Sequence, residues 1–271
     1  MKLRKHTSFK SDKQIWRLLL NDKDDLLIET RDISTKEVSY FITNLPNNHI
    51  IKKSISLPEN VWLGVESFYG DYIFFHKFVK PDLPIHMGII TYNVKKDMVV
   101  WENLDYTFLF VHNNSLIAQK KGFEENYLFE LDLHSGEFIK NLSLSFDEID
   151  EMHNSFMSKF NFDLYGYPED NTLIDNELLN STIEKYTKTF PLKYNPQLLI
   201  FEDLILCNFH LLTNKGISNY FVAVECESGK IREEIILNKN VQAFVPESFF
   251  TYKNYLILLK EKSEVLIFKM E

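Results

Sequence analysis

The sequence predicts an all-β fold: a five-bladed β-propeller of four-stranded blades, with a mostly helical insertion between the third and fourth repeats. Three observations carry this prediction. A pattern returns five times, an acidic or amide residue followed by an apolar run: Asp25-Leu26-Leu27-Ile28, Asp71-Tyr72-Ile73-Phe74, Asn114-Ser115-Leu116-Ile117, Asp203-Leu204-Ile205-Leu206 and Asn254-Tyr255-Leu256-Ile257. In four of the five, two further apolar runs flank a polar turn that begins 18 to 22 residues after the marker. The markers are spaced by 46, 43, 89 and 51 residues, and a period in the forties is the size of a four-stranded blade.

Each predicted element has its own justification. Trp16 and Trp62 both lie nine residues before a marker and open the apolar runs of strand 1. Their equivalent positions predict packing between repeats rather than ligand stacking. The run after each marker is strand 2. Strands 3 and 4 are read in Tyr40 to Ile55, Gly88 to Asn103, Tyr127 to Leu142 and Tyr220 to Ile235. Asn44, Asn93, Asp132 and Glu225 stand at one place before each turn. Paired β-rich runs bounded by turn residues read as hairpins, and Ser135-Gly136 and Ser228-Gly229 supply the turn chemistry.

The step of 89 is about one period too long, because residues 144–193 lack the repeat. Ile149, Met152, Phe156 and Phe160 recur there at helical spacing, so the stretch reads as a mostly helical insertion; a degenerate sixth blade is the alternative. The whole chain, 1–271, is read as a single domain including that insertion. The last repeat has three strands. Open sheet edges invite aggregation, so residues near Leu3 to Phe9 are expected to pair with Val265 to Met270.

The stretch Thr91 to Trp101 resembles the blade motif of quinoprotein-type (PQQ-like, WD40-like) propellers, Ala-x-Asp-x-x-Thr-Gly-x-x-x-Trp, with Asn93 at the Asp and Trp101 at the Trp. Asp132, Ser135 and Gly136 match its Asp-x-x-Thr/Ser-Gly part, although Lys140 replaces the Trp. The block from Trp62 to Trp101, with Leu83-Pro84 and His86-Met87-Gly88, looks like an uncharacterised bacterial family of unknown function. The resemblance implies fold only: nothing marks a quinone site, and one fold hosts many functions.

Composition narrows the function. A net charge of −9 argues against a phosphate-binding surface and therefore against nucleic acid. The hydrophobic fraction of 45%, with 23 Phe and 13 Tyr, excludes disorder. No run approaches the roughly 18 apolar residues of a membrane-spanning helix. The basic start has no apolar stretch after it and does not read as a signal peptide, so no membrane and a cytoplasmic location are expected. The sequence has no GxGxxG, GxxxxGK, GxSxG, HExxH or CxxC, which weakens nucleotide, hydrolase and zinc readings.

In a propeller, strand 2 ends on the face where strand 4 ends and strand 1 begins. That topology places His76, Lys77, His86, Lys120, Lys121 and His210 on one face with the insertion. His153 and the acids Asp147, Glu148, Asp150 and Glu151 would sit there too. A metal or acid–base site of His153, a carboxylate and His76 or His86 is weighed against capped strand ends and a solvated helix face. The second reading is preferred, because the spacing shows no convergent ligands. Leu83 and Ile85 lie in a Pro-rich hairpin loop that reads equally as a recognition loop or as one whose apolar residues tuck onto the next blade. Cys207 and Cys226, counted out from a loop near Gly216, come out nearly opposite each other, within disulfide reach; two packed thiols are the plainer reading.

The expectation is a cytoplasmic binding or interaction module with a protein or small-molecule partner on one face. The binding residues are His76, Lys77, Leu83, Ile85, His86, Lys120, His153 and His210, with no cofactor and no metal. The alternative is an enzyme, of hydrolase or lyase type, using His and carboxylates of the same face. Docking into a larger assembly through the insertion is a third reading.

Overall fold

The computed structural model describes every residue except 53, 56, 58, 81, 82, 124, 125 and 171–176; for 49, 50, 52, 79, 80, 83, 84, 177 and 178 it describes the backbone alone. The chain is mostly β and divides into two compact units, Lys13–Asn161 and Met1–Asp12 with Phe162–Glu271.

The unit Lys13–Asn161 is built of antiparallel meanders. The first has strands Gln14–Leu20, Asp25–Arg31, Val38–Asn44 and His49–Lys52 in sequence order. The second has Leu63–Tyr69, Tyr72–Lys80, Leu83–Asn93 and Met98–Asn103, and the third Thr107–His112, Ser115–Lys121, Asn126–Asp132 and Phe138–Leu142. A single parallel bridge, Thr107 to Gly88, joins the second to the third.

In the unit Met1–Asp12 with Phe162–Glu271, a fourth meander runs Gln197–Phe201, Leu204–Thr213, Gly216–Glu225, Ile231–Val241. A fifth holds Phe249–Tyr252, Tyr255–Lys260 and Glu264–Met270. Leu3–Lys10 completes it by pairing antiparallel to the last strand, from Leu3 opposite Met270 to Lys10 opposite Glu264. The expected pairing of residues near Leu3 to Phe9 with Val265 to Met270 is therefore present.

The recurring sequence marker has a local cause. The residue before each marker is left-handed: Asp24 (φ 63), Gly70 (φ 57), Asn113 (φ 53), Glu202 (φ 50) and Lys253 (φ 51). A positive φ at that loop position suits the twist of a tight hairpin, and the Asp or Asn that follows belongs to the turn. The apolar run after it is continuous because its strand is covered on both faces. Leu26, Leu27 and Ile28, Leu116 and Ile117, and the run Leu204 to Leu211 are all buried. Neighbouring residues serve different layers. Phe75 joins the layer between the first and second meanders, and Phe74 the layer between the second and third.

The turn between strands 3 and 4 repeats as well. Asn93, Asp132 and Glu225 each accept, at the main-chain carbonyl, the N–H of the residue four positions on: Asp97, Gly136 and Gly229. Those three residues are left-handed, with φ 58, 72 and 66. Asp132 also accepts from the N–H groups of His134 and Ser135 and from the Ser135 hydroxyl. These bonds, Ser135 N–H first, hold its carboxyl below the usual carboxylate range.

The insertion contains helices α1, Phe146–Met157, and α2, Glu177–Thr187, as its apolar spacing predicts. Ser145 and Glu148 form a reciprocal capping box at the start of α1. This gives Glu148 a structural role. Phe156 is buried against the third meander, and its ring lies 5.5 Å from that of Tyr69. Leu179 and Ile183 of α2 pack on the fourth meander. Within its own unit, the segment after α1 lends Tyr165–Gly166 to the edge of the fifth meander and Glu169–Asp170 to the edge of the fourth.

Two expectations need correction. Trp16 does not pack between repeats. The register slips between Ile15 and Arg17, so Trp16 is the extra residue of a β-bulge. It is 58% exposed, with the Arg31 guanidinium 4.9 Å from its ring. Trp62 precedes its strand in a left-handed conformation, φ 56. Trp101 does pack between meanders: its Nε1–H donates to Leu133 O at 3.0 Å, and its ring lies where a Cβ on Gly136 would stand.

Cys207 and Cys226 are not opposite each other. The hairpin turns tightly between Thr213 and Gly216, so Cys207 faces Val222 and the Cys226 N–H reaches Asp203 O. The count from Gly216 put the hinge too late. Burial raises the Cys207 thiol far above its ordinary pKa, as expected for a packed, inert cysteine.

Candidate functional site

The candidate site lies within the second meander, where three irregularities meet. The pairing of Leu63–Tyr69 with Tyr72–Lys80 slips between Val65 and Ser67, which makes Glu66 a bulged residue outside the regular ladder. The pairing of Tyr72–Lys80 with Leu83–Asn93 slips between Phe75 and Lys77, at His76, beside Gly88 with φ 76. Bulges re-aim side chains, and these bring Glu66, His76 and His86 together.

Glu66 Oε1 lies 2.7 Å from His86 Nδ1 in a hydrogen bond and 2.9 Å from His76 Nδ1. His76 Nδ1 has the Glu66 carboxylate as its one polar neighbour, and the buried Nε2 has no hydrogen-bond partner. The His76 and His86 rings stack with centroids 3.6 Å apart and planes 11° from parallel. Phe78 meets both rings edge-on, at 4.9 Å and 5.7 Å. His76 is only 2% exposed, whereas the His86 side chain is 41% exposed, so the cluster opens to solvent on the His86 side. Directly across from His76 is Gly64, and a Cβ there would collide with His76 Nε2. The absence of a side chain at 64 is what admits the ring. Burial pushes the Glu66 carboxyl up, but the hydrogen-bonding and charge effects of the two imidazoles outweigh it, leaving its pKa below the ordinary value.

These three donors form the one His/Cys/Asp/Glu group with metal-ligand spacing among the described residues. Two imidazoles and one carboxylate can share a proton or hold a cation.

The remaining sequence candidates fall elsewhere. Lys77, next to the cluster, is held by Glu102 at 3.1 Å and Glu59 at 3.2 Å. Leu83 and Ile85 do not stand in the expected loop: both belong to the strand Leu83–Asn93, because its pairing with Tyr72–Lys80 runs on to Lys80 opposite Leu83. Ile85 is exposed, and the Leu83 side chain and residues 81 and 82 lie outside the described residues. Lys120 in the third meander pairs with Asp105 at 3.6 Å and stands over the Tyr106 ring. His153 is exposed on α1, where its ring meets Phe110; it is not part of the metal-spaced group.

His210 is fully buried in the other unit. Its Nε2 accepts the Val245 N–H at 3.2 Å, and Tyr194 and Phe244 flank its ring. Beside it runs a buried amide chain: Asn208 donates to Asn219, which donates to Asn238 and to Ser248, and Ser248 donates to Val245 O.

Sequence reasoning missed Glu66 and Gly64. The signal was hairpin counting. The turn between Tyr69 and Tyr72 places positions 64 and 66 against 74–76, but the bulge that turns Glu66 inward leaves no trace in residue type.

A protein-family model described as "Domain of unknown function (DUF4905)" matches residues 20–101, a segment that contains Glu66, His76 and His86. No curated protein matches the sequence. Several solved structures resemble the chain. A member of the duf4221 family from Bacteroides vulgatus has 9% identity and a TM-score of 0.34, covering 99% of this chain and 97% of that one. Kluyveromyces lactis Hsv2 has 10% identity and a TM-score of 0.31, covering 95% and 75%. The β-propeller domain of the Trilobed protease from Pyrococcus furiosus has 12% identity and a TM-score of 0.31, covering 92% and 63%. No helix among the described residues is long and apolar enough to cross a membrane.

Proposed function

We propose that the chain is a propeller-type binding module, its five meanders serving as blades, and that it recognises its ligand at the open end of the Glu66–His76–His86 cluster. The observation that carries this reading is His76. Its buried ring has no hydrogen-bond partner at Nε2 and only the Glu66 carboxylate at Nδ1, fewer than a buried structural imidazole ordinarily keeps. A ligand reaching it past His86 makes up that shortfall. The rigid sheet supports the reading, because recognition groups on strands are held more closely than groups on loops. The pairing of Leu3–Lys10 with the last strand supports the propeller.

The test is capture of co-purifying proteins and small molecules from the native cell by the full chain and by His86→Ala. A stoichiometric companion held by the wild type and reduced at least about tenfold in the variant is expected, the loss typical of a ligand-positioning group. Equal recovery by both proteins overturns the placement.

A second reading, an enzyme of hydrolase or lyase type, is favoured by the carboxylate within hydrogen-bond reach of an exposed imidazole. Its signature is turnover of p-nitrophenyl esters or phosphates that is abolished by Glu66→Gln while the circular dichroism spectrum is unchanged. Turnover that survives in Glu66→Gln removes it.

A further inference from the structure

We infer that Glu66, His76 and His86 hold a divalent transition-metal ion of the zinc type, with three protein ligands and a fourth position open to solvent. The inference rests on the placement of the recognition site just given and names its ligand.

Four observations on the page lead to it. The donor set is two imidazoles and one carboxylate, whose donor atoms lie within 4.8 Å of one another. Imidazole donors disfavour magnesium and calcium, which take oxygen ligands, and favour zinc and its neighbours in the first row. One carboxylate and two imidazole nitrogens form a donor set that suits a dication. The buried His76 ring has the Glu66 carboxylate as its one polar neighbour, at Nδ1, and that nitrogen faces the same carboxylate oxygen as His86 Nδ1, so one ion can take all three donors. The third observation is the opening. Exposed His86 leaves an entry path and a coordination position facing water, the arrangement of a three-ligand site rather than a closed structural one. The fourth is the construction of the site, in which two register slips and the bare Gly64 serve this cluster.

Ion binding requires the three donors to spread apart. Bonds of about 2.1 Å at tetrahedral angles set donor atoms about 3.4 Å apart, wider than the 2.7 Å and 2.9 Å between Glu66 Oε1 and the two rings. The stacked rings must also turn apart for both Nδ1 atoms to face one ion. His86 has the freedom to make that turn because it stands in solvent. Binding replaces the His86–Glu66 hydrogen bond with two metal bonds, and a proton on His86 Nδ1 passes through water to Nε2 of the same ring, so that Nδ1 offers its lone pair to the ion.

The test uses the untagged full chain, stripped with chelator and titrated with zinc chloride by calorimetry and with cobalt chloride by visible absorption. One ion per chain is expected, with the intense cobalt spectrum of a four-coordinate site. Glu66→Gln and His86→Ala should each weaken zinc binding at least about tenfold, and His112→Ala, outside the cluster, should leave it unchanged. His86→Ala removes an exposed side chain and keeps the fold, so the test survives if a His76 variant does not. Binding in excess of one ion, absent binding, or wild-type affinity in either cluster variant overturns the inference. Repeating the capture experiment in chelator separates the two claims. A companion retained in chelator but lost in His86→Ala leaves the recognition site standing and overturns the ion; a companion lost in both supports the ion.

Discussion

At the scale of single residues, the second meander is arranged around one side chain that does not fit a regular strand. His76 lies over Gly64 because nothing else there is small enough. Gly64→Ala should therefore displace the ring, destabilise the protein by about 1–3 kcal/mol and weaken zinc binding together with it. Chemical denaturation and calorimetry measure the two effects; unchanged stability would mean the ring moves aside freely.

In the other unit, burial lowers the His210 pKa from 6.5 to about 4. Between those values the unfolded chain binds a proton that the native protein does not, so stability falls as pH drops from 6.5 toward 4. The loss reaches about 2 kcal/mol by pH 5. His210→Gln, which keeps an acceptor for the Val245 N–H, should remove this part of the pH dependence. Urea midpoints at pH 7.5 and pH 5 check it, and parallel slopes for the two proteins would refute it.

At the scale of elements, the strand that completes the fifth meander is the last one expected from composition alone. Leu3–Lys10 is polar on its outer side, and it reaches its place because Glu264–Met270 offers an unpaired row of backbone groups. Deleting residues 1–10 should lower stability by roughly 3 kcal/mol or more, from about half a dozen ladder hydrogen bonds at about 0.5–1.5 kcal/mol each. It should also promote association through the bared edge. Thermal denaturation and size-exclusion chromatography read the two effects, and an unchanged melting temperature with a monomeric profile would count against the role of the strand.

The turns belong to the same scale. The position shared by Asn93, Asp132 and Glu225 was visible as a polar residue before a break. Its physical meaning, a carbonyl that closes an i to i+4 bond onto a left-handed residue, explains why three different side chains are accepted there.

At the scale of the whole molecule, the N-terminal segment belongs with the C-terminal unit. Moving residues 1–12 from the front of the chain to a short linker after residue 271 of a 162–271 fragment should yield a more stable fragment than 162–271 alone. Fragment 13–161 should unfold cooperatively by itself. Urea denaturation of the three fragments is the measurement; equal midpoints with and without the transplanted segment would contradict the division.

The succession of strands, the helical character of the insertion and the pairing of Leu3–Lys10 with the last strand were legible in the residues, whereas the hinges of the hairpins near Gly216 and Leu83 were not. The first two are local properties, written in hydrophobic period and turn chemistry; the third, between residues as far apart as Leu3 and Met270, followed from a last repeat one strand short. Trp16, the two cysteines and the Glu66–His76–His86 cluster were decided by tertiary structure. Each depends on register, and a one-residue slip in a strand sends a side chain to the opposite face without changing a single residue type. Glu66 meets the histidines because a bulge turns it toward them, and only the paired strands record the bulge.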